Sequence, residues 1–171
     1  MIIVFMGLID KIVDGIKEEI SDEPEWKGHR FEKYVENLFD PKYFSLVEKT
    51  HSYRANQERY VESSMNFDFI WRYIPTRKEF AVEPKYRSHL NKDKMLPVCR
   101  AEQLQRYKDF ATKRGIPYFI VIGLAGDDNE PRSMFCIPLN EVKYPDLYPS
   151  IFKNFERNPK SKFFWKEGVL K

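Results

Sequence analysis

The first 21 residues carry hydrophobic side chains at three- and four-residue steps, with charged residues between them. This period predicts an amphipathic helix over residues 1–21. Three interpretations of its apolar face remain open: a helix packed on the core, a contact in a homodimer, and binding to a membrane surface. The acidic balance of the segment argues against a surface of anionic lipid. The apolar positions are Ile2, Phe5, Ile9, Ile12, Ile16 and Ile20.

A second helical pattern begins close to Pro24. Proline after two acidic residues is typical of the first turn of a helix, where the ring fits and the acids suit the positive end of the dipole. This helix is predicted to run to about residue 39 and to end at Asp40-Pro41. Residues 43–50 and 57–62 that follow are strand-like. The apolar face of the helix consists of Phe31, Val35 and Leu38.

Two further stretches have the period of a β-strand. Around Asp68, apolar and other side chains alternate, and the pattern predicts a strand with this aspartate in its middle. Residues 75–78 predict a turn, because they combine proline with polar residues. Residues 79–86 then alternate again, and the two strands together predict a hairpin. The second strand has one face formed by Phe80, Val82, Pro84 and Tyr86.

The second half of the chain predicts one more helix and further strands. The helix covers about residues 97–113 and is closed by Gly115, which can adopt the left-handed conformation of a helix end. An apolar strand at 117–123, a loop at 126–131, a strand near 133–137 and a last helix at 146–156 follow. This order of elements predicts a mixed α/β fold, a central mixed sheet flanked by helices. The predicted organisation is a helix at 1–21, a domain at 22–157 and a basic tail at 158–171.

Composition narrows the class of protein. With 171 residues, 42% hydrophobic and 32% charged, the chain is neither disordered nor collagen-like. Its two cysteines, Cys99 and Cys136, are too few for a disulfide framework or a four-cysteine zinc site, so we expect reduced thiols. The apolar start lacks a preceding basic region and is shorter than the ~20 residues of a membrane span. We therefore expect a cytoplasmic protein without a membrane partner.

Asp68, Glu83 and Lys85 are the residues with the clearest chemical potential. Glu83 and Lys85 are two positions apart, so they share one face of the predicted strand. The hairpin can bring Asp68 opposite them. Two carboxylates and an ammonium group then converge, as at a site for a hard divalent cation such as Mg²⁺, for which Mn²⁺ can substitute. The alternative is a hairpin whose ends are held by ion pairs.

Two predicted helices carry polar residues that can join this site. Glu32 lies off the apolar face of the second helix. Gln103 and Tyr107 are one turn apart on the third helix, so their side chains project from the same side. Both can form hydrogen bonds with a carboxylate, a water molecule or a phosphate.

Taken in order, these motifs resemble the PD-(D/E)xK phosphodiesterase superfamily, the restriction-endonuclease-like and Holliday-junction-resolvase-like nucleases. The resemblance covers about residues 26–123 and implies a restriction-endonuclease-like fold. The motifs that carry it are Gly28-x-x-Phe31-Glu32, Phe67-Asp68, Glu83-Pro84-Lys85 and Gln103-x-x-x-Tyr107.

The resemblance also implies a role for each matching residue. Asp68 and Glu83 would bind the metal, together with Glu32, which matches the helix-borne acid of some branches. Lys85 would be the catalytic lysine. Gln103 and Tyr107 would support the site or contact nucleic acid. The implied activity is that of a Mg²⁺-dependent endonuclease that hydrolyses DNA with metal-activated water and forms no covalent intermediate.

The chain departs from the family pattern at two positions. Phe67 stands where the superfamily name has a proline. Pro84 lies between the proposed metal ligand and the proposed lysine, and a proline removes one hydrogen-bond donor from a strand. We therefore expect a bulge or a strand end at Pro84, which would shift Lys85 relative to Glu83.

Charge is unevenly distributed along the sequence. The whole chain has a net charge of only +3, but residues 85–114 contain nine Lys or Arg against three acids. A basic segment beside the proposed site suits binding to a phosphate backbone, and DNA is the expected partner, with RNA also possible. A solvated helix face is the alternative explanation. The arginines proposed to contact nucleic acid are Arg87, Arg100 and Arg106.

The sequence leaves a second function open beside the nuclease. A catalytically inactive nucleic-acid-binding or protein-interaction domain could use the same fold, and Pro84 is the feature that favours it. A dimerisation module built on the helix at 1–21 is a third possibility, and a homodimer is compatible with each.

Overall fold

The computed structural model describes residues 24–50 and 67–171. The helix predicted at 1–21 and the strand predicted at 57–62 lie outside these described residues.

The described residues form three α-helices and ten strands. The helices are α1 (Pro24–Asn37), α2 (Ala101–Arg114) and α3 (Pro149–Phe152), and two single 3₁₀ turns lie at Leu139–Glu141 and Lys153–Phe155. The strands are β1 (Phe44–Lys49), β2 (Phe69–Tyr73), β3 (Lys78–Arg87), β4 (Leu96–Pro97), β5 (Tyr118–Asp127), β6 (Glu130–Pro138), β7 (Asp146–Leu147), β8 (Glu156–Arg157), β9 (Trp165–Lys166) and β10 (Val169–Leu170).

Six strands form the central sheet in the order β1-β2-β3-β5-β6-β8. Strands β3 and β5 pair in parallel, because α2 returns the chain to the same end of the sheet, and the other neighbours pair antiparallel. The pairs β4–β7 and β9–β10 are separate two-stranded sheets. The prediction of a mixed α/β fold with a central mixed sheet flanked by helices is therefore confirmed.

The sheet buries side chains on both faces. Phe80 and Val82 of β3 point to the layer formed with α1, where Phe31 and Val35 pack. Ala81 points to the opposite layer, formed with α2 and the loop that precedes it. Because successive side chains of a strand alternate between faces, Glu83 and Lys85 belong to the α2 side.

A glycine in β5 allows α1 to approach the sheet. A β-carbon added at Gly123 would lie 2.5 Å from a ring atom of Phe31. The ring of Phe31 is fully buried at this point. The absence of a side chain at Gly123 therefore sets the distance between α1 and the sheet.

Three element boundaries differ from the sequence prediction. Helix α2 begins at Ala101 rather than near residue 97, because Leu96 and Pro97 pair with β7 as strand β4. The loop predicted at 126–131 is instead a two-residue turn, since Asp127 pairs with Glu130. The helix predicted at 146–156 is wrong: only Pro149–Phe152 is α-helical, with a strand on each side of it. Leu147 is buried and paired with Leu96, which holds this segment extended.

The C-terminal residues, predicted as a basic tail, pack on the α1 layer of the core. Phe163 and Leu170 are buried there. The backbone N–H of Phe163 donates to the carbonyl of Leu38 at 3.0 Å, and Trp165 stacks on Phe80 with ring centroids 4.6 Å apart. Residues 158–171 thus share the hydrophobic core of the domain.

Among the described residues, none of the helices combines the length and the apolar character that crossing a membrane requires.

Candidate active site

Glu83 lies where the sheet opens beside β3. Pairing between β2 and β3 ends at the Phe69–Val82 pair, whereas pairing between β3 and β5 continues to Arg87. The Glu83 side chain is buried on the α2 side of the sheet. A buried carboxylate is costly unless donors satisfy it, so its partners define the site.

Three donors surround the Glu83 carboxylate. Lys85 Nζ donates to Oε1 at 3.0 Å, and the Tyr107 hydroxyl donates to the same oxygen at 2.8 Å. The Tyr118 hydroxyl is 3.5 Å from Oε2. The two tyrosine rings stack with their centroids 5.2 Å apart. Glu83 is therefore held in a fixed orientation, with Oε1 more heavily engaged than Oε2.

Asp68 brings a second carboxyl group to Glu83. It lies in a bend directly before β2, so the prediction that it occupies the middle of a strand is wrong. Burial raises the pKa of Asp68 well above its usual value, the charges of Glu83 and Glu32 raise it further, and Lys85 acts in the opposite direction. A hydrogen bond between the Asp68 and Glu83 carboxyl groups adds to the rise in this pKa. Two carboxyl groups this close favour a shared proton or a bound cation.

Glu32 reaches the same region from α1. Burial raises its pKa, His29 lowers it, and the charge of Glu83 raises it again. His29 Nδ1 is 3.6 Å from Glu32 Oε2. Lys49 of β1 lowers the same pKa. The structure thus brings Glu32 into electrostatic contact with the Asp68 and Glu83 pair.

The described residues do not contain three His, Cys, Asp or Glu side chains already grouped as a cation site. The prediction that Asp68, Glu83 and Glu32 all bind one metal ion therefore stays a prediction. The two carboxyl groups nevertheless offer the oxygen ligands that Mg²⁺ prefers, and a cation between them would take the place of the shared proton.

Pro84 does not displace Lys85, contrary to our expectation. The N–H of Ala81 donates to the carbonyl of Pro117 at 2.8 Å, so alternate residues of β3 from Ala81 onward direct their N–H groups to β5. The nitrogen of Pro84 points to the other edge, beyond the last β2–β3 pair. No donor is missing from the β3–β5 ladder, whose register runs without a shift from Ala81 to Arg87.

Of the two polar residues predicted on α2, only Tyr107 contacts Glu83 in the described structure. Gln103 Oε1 instead accepts a hydrogen bond of 3.2 Å from the backbone N–H of Arg100. This contact satisfies a donor at the start of the helix, as in a capping box. Gln103 thereby fixes the beginning of the helix that carries Tyr107.

The three arginines predicted to bind nucleic acid have different surroundings. Arg87 donates to the carbonyls of Tyr86, Pro97 and Val98 at 2.9, 2.8 and 2.7 Å, and burial lowers its pKa. Arg106 Nε is buried without a hydrogen-bond partner among the described residues. Arg100 is exposed before α2. Their contact with nucleic acid stays a prediction.

Tyr118 is the site residue that the sequence analysis missed. It begins β5, and it is paired with Ala81 in the parallel ladder, so its side chain lies on the face that also carries Glu83. The available signal was a phenol at the start of an otherwise apolar strand, since a buried hydroxyl requires a partner.

Comparison with known proteins finds similarity at the level of the fold. No protein-family model matches the sequence, and no curated protein matches it. The fold is similar to that of Hjc from Archaeoglobus fulgidus, a Holliday junction resolvase, with a TM-score of 0.52 and 17% sequence identity. The match covers 74% of this chain and 93% of the resolvase. The protein thus shares the fold of this resolvase, a central mixed sheet flanked by helices.

Proposed function

We propose that the protein is a metal-dependent endonuclease that hydrolyses phosphodiester bonds of DNA. The observation that carries the proposal is the contact between the Asp68 and Glu83 carboxyl groups beside the Lys85 ammonium group. The resolvase-like fold supports the same reaction class. The carboxyl pair lies beside β3, where the motif order predicts a catalytic site.

Asp68 and Glu83 would hold a Mg²⁺ or Mn²⁺ ion. Glu83 Oε1 already accepts bonds from Lys85 and Tyr107, so Oε2 is the oxygen with more capacity for a cation. Mg²⁺ commonly takes one or two carboxylates and completes its shell with water and substrate phosphate. Two protein ligands therefore suffice, and Glu32 can add a third from α1.

The cation, Lys85 and Glu32 would each contribute to the hydrolysis. When bound, the cation neutralises phosphate charge and lowers the pKa of the attacking water. The Lys85 ammonium group, held in place by Glu83, stabilises negative charge that grows on the phosphate. Glu32, whose pKa is raised chiefly by burial, lies within electrostatic reach of Glu83 and can exchange a proton with a nearby water.

Cleavage by the Glu83→Gln variant tests the proposal directly. The matched control is Glu79→Gln, because Glu79 lies on the same strand but pairs with Arg72 at 2.7 Å, away from the site. Both proteins are incubated with duplex DNA, single strands, a four-way junction and RNA, in Mg²⁺, in Mn²⁺ and in EDTA. We expect the wild type and Glu79→Gln to cleave DNA only with metal, and Glu83→Gln to be inactive.

Two results would contradict the assignment. Full activity of a correctly folded Glu83→Gln protein would exclude Glu83 as a metal ligand. Nucleic-acid binding without cleavage of any substrate would select the alternative, a catalytically inactive binding domain on the same fold. Calorimetric titration with Mn²⁺ tests metal binding separately from cleavage. If the wild type binds Mn²⁺ and Glu83→Gln does not, the cation binds at this carboxylate.

A further inference from the structure

Tyr144 and Tyr148 are unusually exposed for their size. Their side chains are 67% and 60% accessible, the highest values among the large hydrophobic side chains of the described residues. Most other aromatic side chains of the described chain are buried or half-buried. Two exposed phenol rings four residues apart expose apolar surface that a partner could cover.

Strand pairing and hydrogen bonds hold the backbone between these tyrosines. Leu147 is buried and pairs with Leu96, and Asp146 pairs with Pro97. The carbonyl of Pro145 accepts N–H groups from Val98 and Cys99, at 2.8 and 3.3 Å. The two rings are therefore attached to a fixed frame, which lowers the conformational entropy that a ligand would have to remove.

This frame adjoins the candidate active site. Arg87, on the same face of β3 as Lys85, donates to the carbonyls of Pro97 and Val98. Burial raises the pKa of the Cys99 thiol, Lys85 lowers it and Glu83 raises it, so the thiol lies within electrostatic reach of both residues. The segment that carries the tyrosines is therefore joined through β4 and Cys99 to the strand that carries Glu83 and Lys85.

Two exposed cations near the tyrosines can meet the phosphates of a polyanion. Lys143 precedes Tyr144, and Arg100 follows Cys99 at the hydrogen-bonded junction with Pro145; both cations are exposed. Asp146, the acid inside the segment, interacts electrostatically with Arg87. Aromatic rings among cations are the surface that single-stranded nucleic acid uses, because each unpaired base can stack while the cations meet the phosphates.

We propose that Tyr144 and Tyr148 form a stacking surface for unpaired bases of a DNA strand that leads into the active site. The proposal rests on the proposed nuclease function for the identity of the ligand as DNA and for the point of cleavage. It specifies the substrate class: DNA with unpaired bases beside the point of cleavage, rather than a continuous duplex.

The test is binding in EDTA, where metal-dependent cleavage cannot occur. The probe is a fluorescein-labelled oligothymidylate of about 16 nucleotides, which covers the site of a single domain. Fluorescence anisotropy compares the wild type with a Tyr144→Ala/Tyr148→Ala double variant. We expect the double variant to bind the single strand at least fivefold more weakly, and to bind a duplex of the same length within twofold of the wild type.

Two controls show whether stacking is the cause. Tyr43→Ala removes a tyrosine that is 43% exposed beside β1, at the other edge of the central sheet, and should not change binding. Tyr144→Phe/Tyr148→Phe keeps the rings and should retain affinity. A 2-aminopurine base in the probe should be quenched by the wild type and by the Phe variant, and not by the Ala variant.

Specific results would overturn the inference. These are unchanged single-strand affinity of a folded Ala variant, an equal loss on duplex and single strand, and absence of single-strand binding by the wild type. Because no step uses metal, this outcome is independent of cleavage. If stacking is found and no substrate is cleaved, the proposed catalysis fails and the base-binding surface stands.

Discussion

The orientation of Glu83 depends on neighbours that do not themselves have to touch a substrate. Tyr107 and Tyr118 reach different oxygens of this carboxylate, at 2.8 and 3.5 Å. The shorter contact goes to the oxygen that also binds Lys85. Tyr107 therefore positions both the proposed metal ligand and, through it, the proposed catalytic lysine.

Replacing each tyrosine by phenylalanine separates these contributions. A hydrogen bond to a charged group contributes about 1.5–3 kcal/mol, so we expect Tyr107→Phe to slow single-turnover cleavage of DNA by about tenfold or more. Tyr118→Phe should have a smaller effect, because its hydroxyl is farther from Glu83. Thermal unfolding is the control, since both variants keep the stacked rings. An effect of Tyr118→Phe larger than that of Tyr107→Phe would contradict the geometry.

Asp68 should destabilise the fold at neutral pH. Its folded pKa is raised above the unfolded value, chiefly by burial and then by Glu83 and Glu32. The stability that such a group contributes to the folded protein is fully present below its unfolded pKa, and it is lost as the pH rises through its folded pKa. We expect Asp68→Asn, measured by urea unfolding in EDTA, to be more stable than the wild type at about pH 8, with the difference shrinking toward about pH 5.

If Asp68→Asn is less stable than the wild type at every pH, this account is contradicted. The matched control is Asp93→Asn, because Asp93 is exposed in the loop between β3 and β4. Its stability should follow that of the wild type across the same pH range.

Individual site residues were predictable where the pattern is local. The alternation of β3 placed Glu83 and Lys85 on one face, and the helical step placed Tyr107 toward the site. Gln103 shares that helical step but caps α2, because a polar side chain in the first turn can satisfy the helix end instead. Tyr118 depends on parallel pairing between β3 and β5, a non-local contact that no short motif encodes.

At the scale of elements, strands with a strong alternating pattern were predicted correctly. Where the pattern was weaker, contacts with segments distant along the chain determined the secondary structure. The hairpin of β2 and β3 and the Gly115 helix end appear as expected, with Gly115 at φ 64°. The last predicted helix failed because Leu147 pairs with Leu96, more than 50 residues away along the chain. The predicted effect of Pro84 on β3 was wrong, because a missing N–H group weakens a strand only on the side where a neighbouring strand would accept its hydrogen bond.

The contact between α1 and the sheet predicts opposite effects for two glycine substitutions. Gly123→Ala places a methyl group against the buried Phe31 ring, so we expect a loss of about 1–3 kcal/mol in the free energy of unfolding. Gly28 lies inside α1, and a methyl group added there would meet no atom within 4 Å apart from the helix's own neighbouring backbone, so Gly28→Ala should stabilise the protein by about 0.5–1 kcal/mol. Urea unfolding measures both. A stabilising Gly123→Ala would show that α1 can move away from β5 without cost.

For the whole molecule, the C-terminal segment closes the α1 layer of the core. The sequence analysis treated residues 158–171 as a basic tail because four lysines stand there against a single acid. Their apolar residues are nevertheless placed at points that the sheet leaves uncovered. Phe39 stacks on Phe163 with ring centroids 4.5 Å apart, and the Arg157 guanidinium lies 3.6 Å from the centroid of the same ring.

Two adjacent phenylalanines test whether this closure holds the domain together. Phe163 is 3% exposed and Phe164 is 54% exposed, so the pair differs in burial and not in chemistry. We expect Phe163→Ala to lower the free energy of unfolding by about 3–5 kcal/mol, as for other buried aromatic truncations. Phe164→Ala should change it by less than about 0.5 kcal/mol. Equal effects of the two substitutions in urea unfolding would mean that residues 158–171 are not docked on the core in solution. If the predicted difference is found, the stability of the domain that holds the candidate active site depends on this C-terminal segment.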